Sequence, residues 1–237
     1  GRHCPILRPG WASRAMLKSG AMDIDVDALH QGFLRGIRAR GGQVVTGARV
    51  RRLSREGGVW RAVTEAGEFT APTVVNAAGA WADEVAALAG VRRIGLRSLR
   101  RTAFLVEGPP EGPLLTDVAD TFYVKPESGA LLVSPADATP VPPCDARPDD
   151  LDVARGIERV RQATTLPIRS VRHAWAGLRS VVADDTPVIG QAEGGPGFVW
   201  LADLGGYGVQ TAPEVTRIAA AAALGEPPGP DLAPERI

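Results

Sequence analysis

The sequence predicts an α/β fold combined with a mostly antiparallel β-sheet. Two segments each show a short apolar strand that passes through a turn of small residues into a helix, which is typical of α/β folds. A third segment, residues 93–172, alternates strand-like runs with turns rich in Pro and Gly, which indicates an antiparallel sheet. With 237 residues, 44% hydrophobic and 23% charged, the chain has the composition of an ordinary globular protein.

The first predicted helix covers about residues 25–40. Asp25 and Asp27 are candidate N-cap residues, and the pair Gly41-Gly42 ends the helix. Apolar residues recur at helical spacing and predict one buried face, formed by Leu29, Phe33, Leu34 and Ile37.

Short strands follow this helix. Residues 43–46 read as one strand, residues 49–53 and 59–64 as a hairpin with Gly57-Gly58 in its turn, and residues 68–71 as a third strand of the same sheet. Residues 73–76 then form the first buried strand that leads through small residues into a helix, predicted from about Trp81 to Ala89.

The middle of the chain carries the antiparallel pattern. Strands are predicted at residues 102–106, 121–124 and 130–133, and a helix at residues 150–163. This helix is expected to bury one side, which carries Leu151, Ala154, Ile157 and Val160.

The C-terminal part holds the second strand–turn–helix segment. Residues 188–190 and 198–202 read as buried strands, and a glycine-rich turn leads from the second of them into a helix over about residues 210–224. A helix that begins on close-packed glycines presents bare backbone N–H groups and a positive dipole end, so the turn predicts one wall of a cofactor site. A tight helix entry without any ligand is the alternative, because the full G-x-G-x-x-G fingerprint is absent.

Composition and spacing exclude several classes of function. The formal net charge is zero, which gives no reason to expect a nucleic-acid partner or an anionic membrane surface. Cys4 and Cys144 form neither a disulfide framework nor a metal-ligand motif, so we expect no metal site and a reduced, cytoplasmic setting. No apolar run is long enough to cross a bilayer.

Arginines at predicted strand ends are the candidate ligand-binding groups. Arg179 could grip a carboxylate with both ends of its guanidinium, and a surface ion pair with a nearby aspartate is the alternative. Alternation along a strand would separate Arg100 from Arg101, although both could be solvated at the strand end. Tyr123 could offer its hydroxyl or simply be half-buried. With no nucleophile elbow and no carboxylate pair, the chemistry would have to come from a cofactor.

Six segments taken together resemble a known family. The chain is similar to the FAD-dependent amino-acid oxidoreductases of the D-amino-acid oxidase and glycine oxidase type, and most similar among them to bacterial D-arginine dehydrogenase. These segments keep the order of the family and cover nearly the whole chain: 27–32 (DALHQG), 74–81 (VVNAAGAW), 100–104 (RRTAF), 122–126 (FYVKP), 174–180 (AWAGLRS) and 205–211 (GGYGVQT).

The resemblance implies FAD as cofactor and assigns residues to it. Val50 would meet the adenine through its backbone, and Ala77, Ala78 and Gly79 would pack beside the phosphates. The flavin ring would be lined by Gly205, Gly206, Tyr207, Gly208, Val209 and Gln210.

The resemblance also implies a substrate site. Arg101, Tyr123 and Arg179 would hold the carboxylate of a small amino-acid substrate, and the main chain of Gly206 would lie near its amine. Leu114 and Thr116 would line the pocket for the substrate side chain. No protein side chain is assigned as catalytic.

The implied activity is oxidative deamination of a D-amino acid, or of a related amine, by hydride transfer to the flavin. The family's N-terminal strand, G-x-G-x-x-G turn and helix do not occur in this sequence. We therefore expect the C-terminal portion of a Rossmann-like FAD domain with an inserted, mostly antiparallel substrate sheet, inactive as a fragment on its own. The expected segments are a substrate-domain remnant (1–24), FAD-domain parts (25–92 and 177–237) and the substrate domain (93–176).

Two alternatives remain open at this point. The chain could be a non-catalytic remnant or subunit that needs a separate FAD-binding chain as its partner. It could also be a stand-alone amine-binding module without redox function.

Overall fold

A computed structural model describes residues 3–109 and 111–237. The contacts between residues divide the chain into two units. Unit 1 takes in Ser98–Arg179 together with the chain up to Ser19, and unit 2 takes in Gly20–Arg97 and Ser180–Ile237. Which unit binds cofactor and which binds substrate stays a prediction.

Four helices and twelve strands are numbered along the described chain. The helices are α1 (Val26–Ala39), α2 (Ala82–Leu88), α3 (Asp150–Ala163) and α4 (Gly208–Ala223), with 3₁₀ turns at Gly79–Trp81 and Pro234–Arg236. The strands are β1 (Val50–Glu56), β2 (Val59–Thr64), β3 (Gly67–Ala71), β4 (Val74–Asn76), β5 (Arg97–Val106), β6 (Leu115–Thr116), β7 (Tyr123–Glu127), β8 (Ala130–Ser134), β9 (Thr139–Pro140), β10 (Val171–Val181), β11 (Val188–Ala192) and β12 (Gly195–Ala202).

Unit 1 is built on a six-stranded sheet. Its strands run in the order β10-β5-β8-β7-β6, and β9 pairs with β5. The pairs β5–β8, β5–β9, β6–β7 and β7–β8 are antiparallel. One face packs against α3 and forms a core that includes Phe104, Phe122, Leu131 and Val160. Because side chains alternate along each strand, the opposite face carries the neighbours of these core residues in sequence.

Unit 2 contains two three-stranded sheets. One is the antiparallel sheet β1-β2-β3, and the other has the order β11-β12-β4, in which β4 runs parallel to β12 and β11 runs antiparallel to it. The main core packs Trp60 and Phe198 at a ring-centroid distance of 5.8 Å, with Trp200 beside them. A smaller cluster packs α4 against this sheet through Ile189, Val215 and Ala219.

Local sequence signals account for the helix ends. Asp25 caps α1 by accepting a hydrogen bond from the Ala28 N–H at 2.9 Å, and Asp149 caps α3 through the Leu151 N–H at 2.9 Å. After α1 the chain turns at Gly41, whose φ of 78° is the left-handed conformation that glycine adopts without strain.

Two of the sequence predictions are wrong and a third is wrong in part. Residues 43–46 form no strand. No residue of α1 is buried, and Phe33 and Ile37, expected on a buried face, are 48% and 42% exposed. The expected face of α3 is buried only in part: Val160 is buried and Ile157 packs against the core, whereas Leu151 is 56% exposed and Ala154 is also exposed. The buried residues of the helix are Asp152, Gly156, Val160 and Ala163. The face of α3 is rotated because Asp152, a polar residue, turns inward to meet an arginine of the sheet.

No helix in the described part of the chain is both long enough and apolar enough to span a membrane.

Candidate functional site

Two consecutive arginines on β5 lie on opposite faces of the unit 1 sheet. Arg100 points toward α3, where its Nη2 donates to Asp152 at 2.7 Å and lies 3.6 Å from Asp149, while its Nε lies 3.8 Å from Asp137. This contact with Asp152 raises the pKa of Arg100. Arg100 is therefore a structural residue that ties the strand to the helix.

Arg101 points to the other face and lacks such partners. Its side chain is only 14% exposed, yet its Nε and Nη1 are buried without a hydrogen-bond partner among the described residues. The nearest carboxylate is that of Asp120, 3.8 Å from Nη2. Buried N–H donors are normally satisfied, so this guanidinium is a candidate anion-binding group.

Arg179 and Tyr123 join Arg101 on this face. Burial lowers the pKa of Arg101, and the charge of nearby Arg179 lowers it further, while Asp120 and Tyr123 act in the opposite direction. For Arg179, half-buried near the end of β10, no acidic partner is found among the described residues. The structure thus brings together the three predicted carboxylate ligands.

The two predicted pocket residues lie at the edge of the same sheet. Thr116 pairs with Tyr123 in the β6–β7 register, and its hydroxyl donates to the Phe122 carbonyl at 3.0 Å. Leu114 directly precedes β6 and is 55% exposed. Their role in lining a side-chain pocket stays a prediction.

In unit 2 the glycine-rich turn leads directly into α4. Gly205 has a φ of 49°, and the Tyr207 N–H donates to the Leu204 carbonyl at 2.9 Å, which closes a tight turn. The first turn of α4 has neither a side-chain cap nor an acidic residue. Its N–H groups are therefore bare donors at the positive end of a 16-residue helix. Gly206, Tyr207, Gly208, Val209 and Gln210 belong to this turn or to the start of the helix.

The second predicted turn lies at the same edge of the sheet. Trp200 on β12 is paired with Asn76 on the parallel strand β4, so the turns that follow the two strands leave from their shared carboxyl end, where ligands bind in open α/β sheets. Asn76, which is 2% exposed, shapes its turn by donating to the Ala82 carbonyl at 2.8 Å and accepting from the Ala78 N–H at 3.3 Å. Ala77, Ala78 and Gly79 form this turn, and Gly79 has a φ of 56°.

Val50 lies beside a cavity in unit 2. The cavity holds about 520 Å³ and has an apolar wall with an aromatic member, bordered by two arginines and one glutamate. Such a wall suits a flat aromatic base. Its lining residues are Arg49, Val50, Arg51, Trp81, Glu84, Val85 and Leu88.

Sequence-based prediction missed a buried acid beside the glycine turn. Asp203 is 2% exposed and has the left-handed φ of 54°. Its Oδ2 accepts from the Val182 N–H at 3.0 Å, and its Oδ1 has no partner among the described residues. Burial raises the pKa of this carboxyl, the hydrogen bond from Val182 lowers it, and the charges of Asp185 and Asp184 raise it further. In the sequence, the one sign of a special role for Asp203 is its position between a predicted strand and the glycine-rich turn.

Comparison with known proteins identifies the family. The sequence matches the family described as FAD dependent oxidoreductase (DAO) over residues 2–222. The chain belongs to the DAO family. Hydrogen cyanide synthase subunit HcnC of Pseudomonas aeruginosa is similar to it, with 28% identity over 168 residues, which are 68% of this chain and 39% of that protein.

Solved structures of related flavoenzymes share the fold. Glycine oxidase from Geobacillus kaustophilus superposes with a TM-score of 0.71 at 22% identity, over 87% of this chain and 56% of that one. L-proline dehydrogenase from P. horikoshii gives a TM-score of 0.76 at 19% identity, over 88% and 58%. The chain thus spans less than two thirds of each relative. The predicted mixed α/β fold with antiparallel sheets is confirmed, and so is FAD as the cofactor of this DAO family.

Proposed function

We propose that the chain forms part of an enzyme that oxidises a D-amino acid, or a related amine that carries a carboxylate, with FAD as hydride acceptor. The guanidinium of Arg101 carries this proposal, because two of its buried N–H groups have no hydrogen-bond partner among the described residues and the charge of Arg179 lies nearby. Two neighbouring cations without an acidic hydrogen-bond partner repel one another, and an anion that enters between them removes this cost. A carboxylate fits best because its two oxygens match the fork of a guanidinium.

The proposed roles follow from this arrangement. Arg101 and Arg179 hold the substrate carboxylate, and the Tyr123 hydroxyl donates a further hydrogen bond. Fixing the carboxylate orients the adjacent Cα–H bond, so positioning supplies much of the rate. When bound, FAD would supply the acceptor for the Cα hydride. The substrate amine, after giving one proton to solvent, would form the C=N bond with its lone pair, and the resulting iminium would take up water and release a 2-oxo acid and an ammonium ion.

We assign residues of unit 2 to parts of FAD. In the proposal, the cavity beside Val50 receives the adenine, and Ala77, Ala78 and Gly79 border the phosphates. The bare N–H groups at the start of α4 stabilise negative charge on the flavin. As part of the same proposal, we take the chain to be similar to bacterial D-arginine dehydrogenase.

We further propose that FAD binding needs a polypeptide segment with the G-x-G-x-x-G turn, either in the same polypeptide or in a separate chain. The uncovered apolar face of α1, with Phe33 and Ile37, supports a polypeptide partner. The similarity to HcnC, which is named a subunit, is consistent with a separate chain. Mixing the purified chain with FAD should give little bound flavin in the visible spectrum. Stoichiometric flavin binding by the chain alone would contradict this part of the proposal.

The carboxylate site can be tested without flavin. Ligand-observed NMR should detect propionate on the full chain, and Arg179→Ala should weaken this binding about tenfold, because charge-assisted hydrogen bonds contribute about 1.5–3 kcal/mol. Arg172→Ala removes an exposed arginine from the same strand and should leave propionate binding unchanged. Equal affinities of wild type and Arg179→Ala would refute the assigned role.

A further inference from the structure

The turn between β6 and β7 is fixed by one side chain. Asp117 accepts hydrogen bonds from the Thr121 N–H at 2.6 Å, the Thr121 hydroxyl at 2.7 Å and the Phe122 N–H at 3.4 Å. Burial raises the pKa of Asp117, but these hydrogen bonds outweigh burial and hold the pKa below its ordinary value. The Asp120 N–H also donates to the Asp117 carbonyl at 3.2 Å. The turn is therefore ordered.

This turn presents Asp120 to the carboxylate site. Asp120 has a φ of 48°, a left-handed conformation that aspartate tolerates better than most residues. Its side chain is 68% exposed and lies 3.8 Å from Nη2 of Arg101, too far for a hydrogen bond. An exposed ion pair of this kind contributes little to stability, so stability does not account for its position.

The charges on this face match a ligand with two polar groups. Arg101 and Arg179 offer N–H donors to an anion, and Asp120 offers acceptor oxygens to a donor next to that anion. A simple carboxylate satisfies only the arginines and faces repulsion from Asp120. A ligand with an amine on the carbon next to its carboxylate satisfies both sides at once.

We propose that Asp120 accepts a hydrogen bond from the substrate amine and thereby selects α-amino acids over simple carboxylates. The inference rests on the proposed function, since it takes Arg101 and Arg179 as the carboxylate ligands. Asp120 is a specificity-determining residue in this scheme: it contacts the substrate amine and takes no proton or electron from it.

The test compares D-alanine with propionate, which differs from it by the missing amine. Binding of each probe to the full chain is measured by ligand-observed NMR, and folding of each variant is checked by circular dichroism. Asp120→Asn keeps the shape of the side chain and removes its charge. It should weaken D-alanine binding about tenfold, while propionate binding stays the same or becomes tighter because a repulsive neighbour is gone.

Glu107→Gln provides the matched control. It removes an exposed carboxylate just after β5 and should leave both affinities unchanged. If Asp120→Asn changed the affinities for D-alanine and propionate equally, or changed neither, the inference would be overturned while the carboxylate site would remain intact. If wild type binds neither probe, or if Arg101→Met binds propionate as well as wild type does, the proposed function fails and the inference fails with it.

Discussion

The two faces of strand β5 differ in the number of acidic partners that they provide for a buried arginine. Arg100 and Arg101 are adjacent in sequence and almost equally buried, with side chains 17% and 14% exposed. Arg100 has three carboxylates within 4 Å, whereas Arg101 has one, at 3.8 Å. The pKa of Arg100 is raised by Asp152, and that of Arg101 is lowered by burial.

We interpret Arg100 as a structural charge and propose Arg101 as a binding charge. A buried arginine whose donors meet fixed acids joins two elements of the fold. Arg101 leaves two buried donors, Nε and Nη1, without a hydrogen-bond partner among the described residues, whereas Arg100 leaves one, Nε. Unsatisfied buried donors cost stability, and such a cost is retained where a ligand supplies the missing acceptor.

The largest expected effect is on stability, at Arg100. Arg100→Met should lower the free energy of unfolding by about 3 kcal/mol, because it leaves the buried carboxylate of Asp152 without its closest partner. Arg155 lies 3.3 Å from the other oxygen of Asp152 and remains as a partner in the variant. The loss of stability should therefore fall at the lower end of the range that is usual for breaking a buried ion pair. Urea denaturation measures it, and Arg172→Met is the exposed control. A loss below 1 kcal/mol would show that the network contributes little.

At Arg101 the same change should act on binding instead. Arg101→Met should weaken propionate binding by about 2 kcal/mol, roughly thirtyfold, because the carboxylate loses a charge-assisted partner. The free energy of unfolding should stay the same or rise, since two unpaired buried donors are removed. Denaturation and NMR titration of the same preparation test both statements. A large loss of stability would make Arg101 a structural residue like Arg100.

Asp203 extends the comparison to a buried acid in unit 2. Its raised pKa means that the folded state holds the proton more tightly than the unfolded chain does. The free energy of unfolding should therefore fall as pH rises from the ordinary aspartate pKa through the folded one. Asp203→Asn removes this dependence and should be more stable than wild type at neutral pH, with the difference vanishing in acid.

Urea denaturation between pH 4 and pH 8 tests the sign of this effect. Asp231→Asn changes an exposed aspartate of the same unit and should leave the pH profile unchanged. If the free energy of unfolding of wild type rose with pH relative to that of Asp203→Asn, the Asp203 carboxylate would be ionised in the folded state and would stabilise it.

Local signals allowed much of the fold to be predicted. Helix α3 covers residues 150–163 as predicted, and the hairpin β1–β2 turns at Gly57-Gly58. The failure on the face of α3 depended on a partner distant in sequence. Leu151 was expected to be buried from its spacing, but Asp152 turns inward to Arg100, 52 residues away.

The candidate site was predictable only in part for the same reason. The motifs pointed to Arg101, Tyr123 and Arg179, but they did not show which of the two consecutive arginines had acidic partners. Asp120 and Asp203 belong to no motif. The environment of Asp120 arises from a turn conformation, and that of Asp203 from its place at the end of the central strand β12. A single sequence does not reveal either environment.

The smallest expected effect concerns helices α1 and α3, which have 14 residues each and the same kind of aspartate cap. Phe33→Ser on α1 should change the free energy of unfolding by less than about 0.5 kcal/mol, since Phe33 is 48% exposed. Val160→Ala on α3 should cost about 2 kcal/mol, because Val160 is fully buried. Equal losses in urea denaturation would show that the α1 face is covered in solution. A loss at Phe33 that grows with protein concentration would identify a second copy of the chain as the cover.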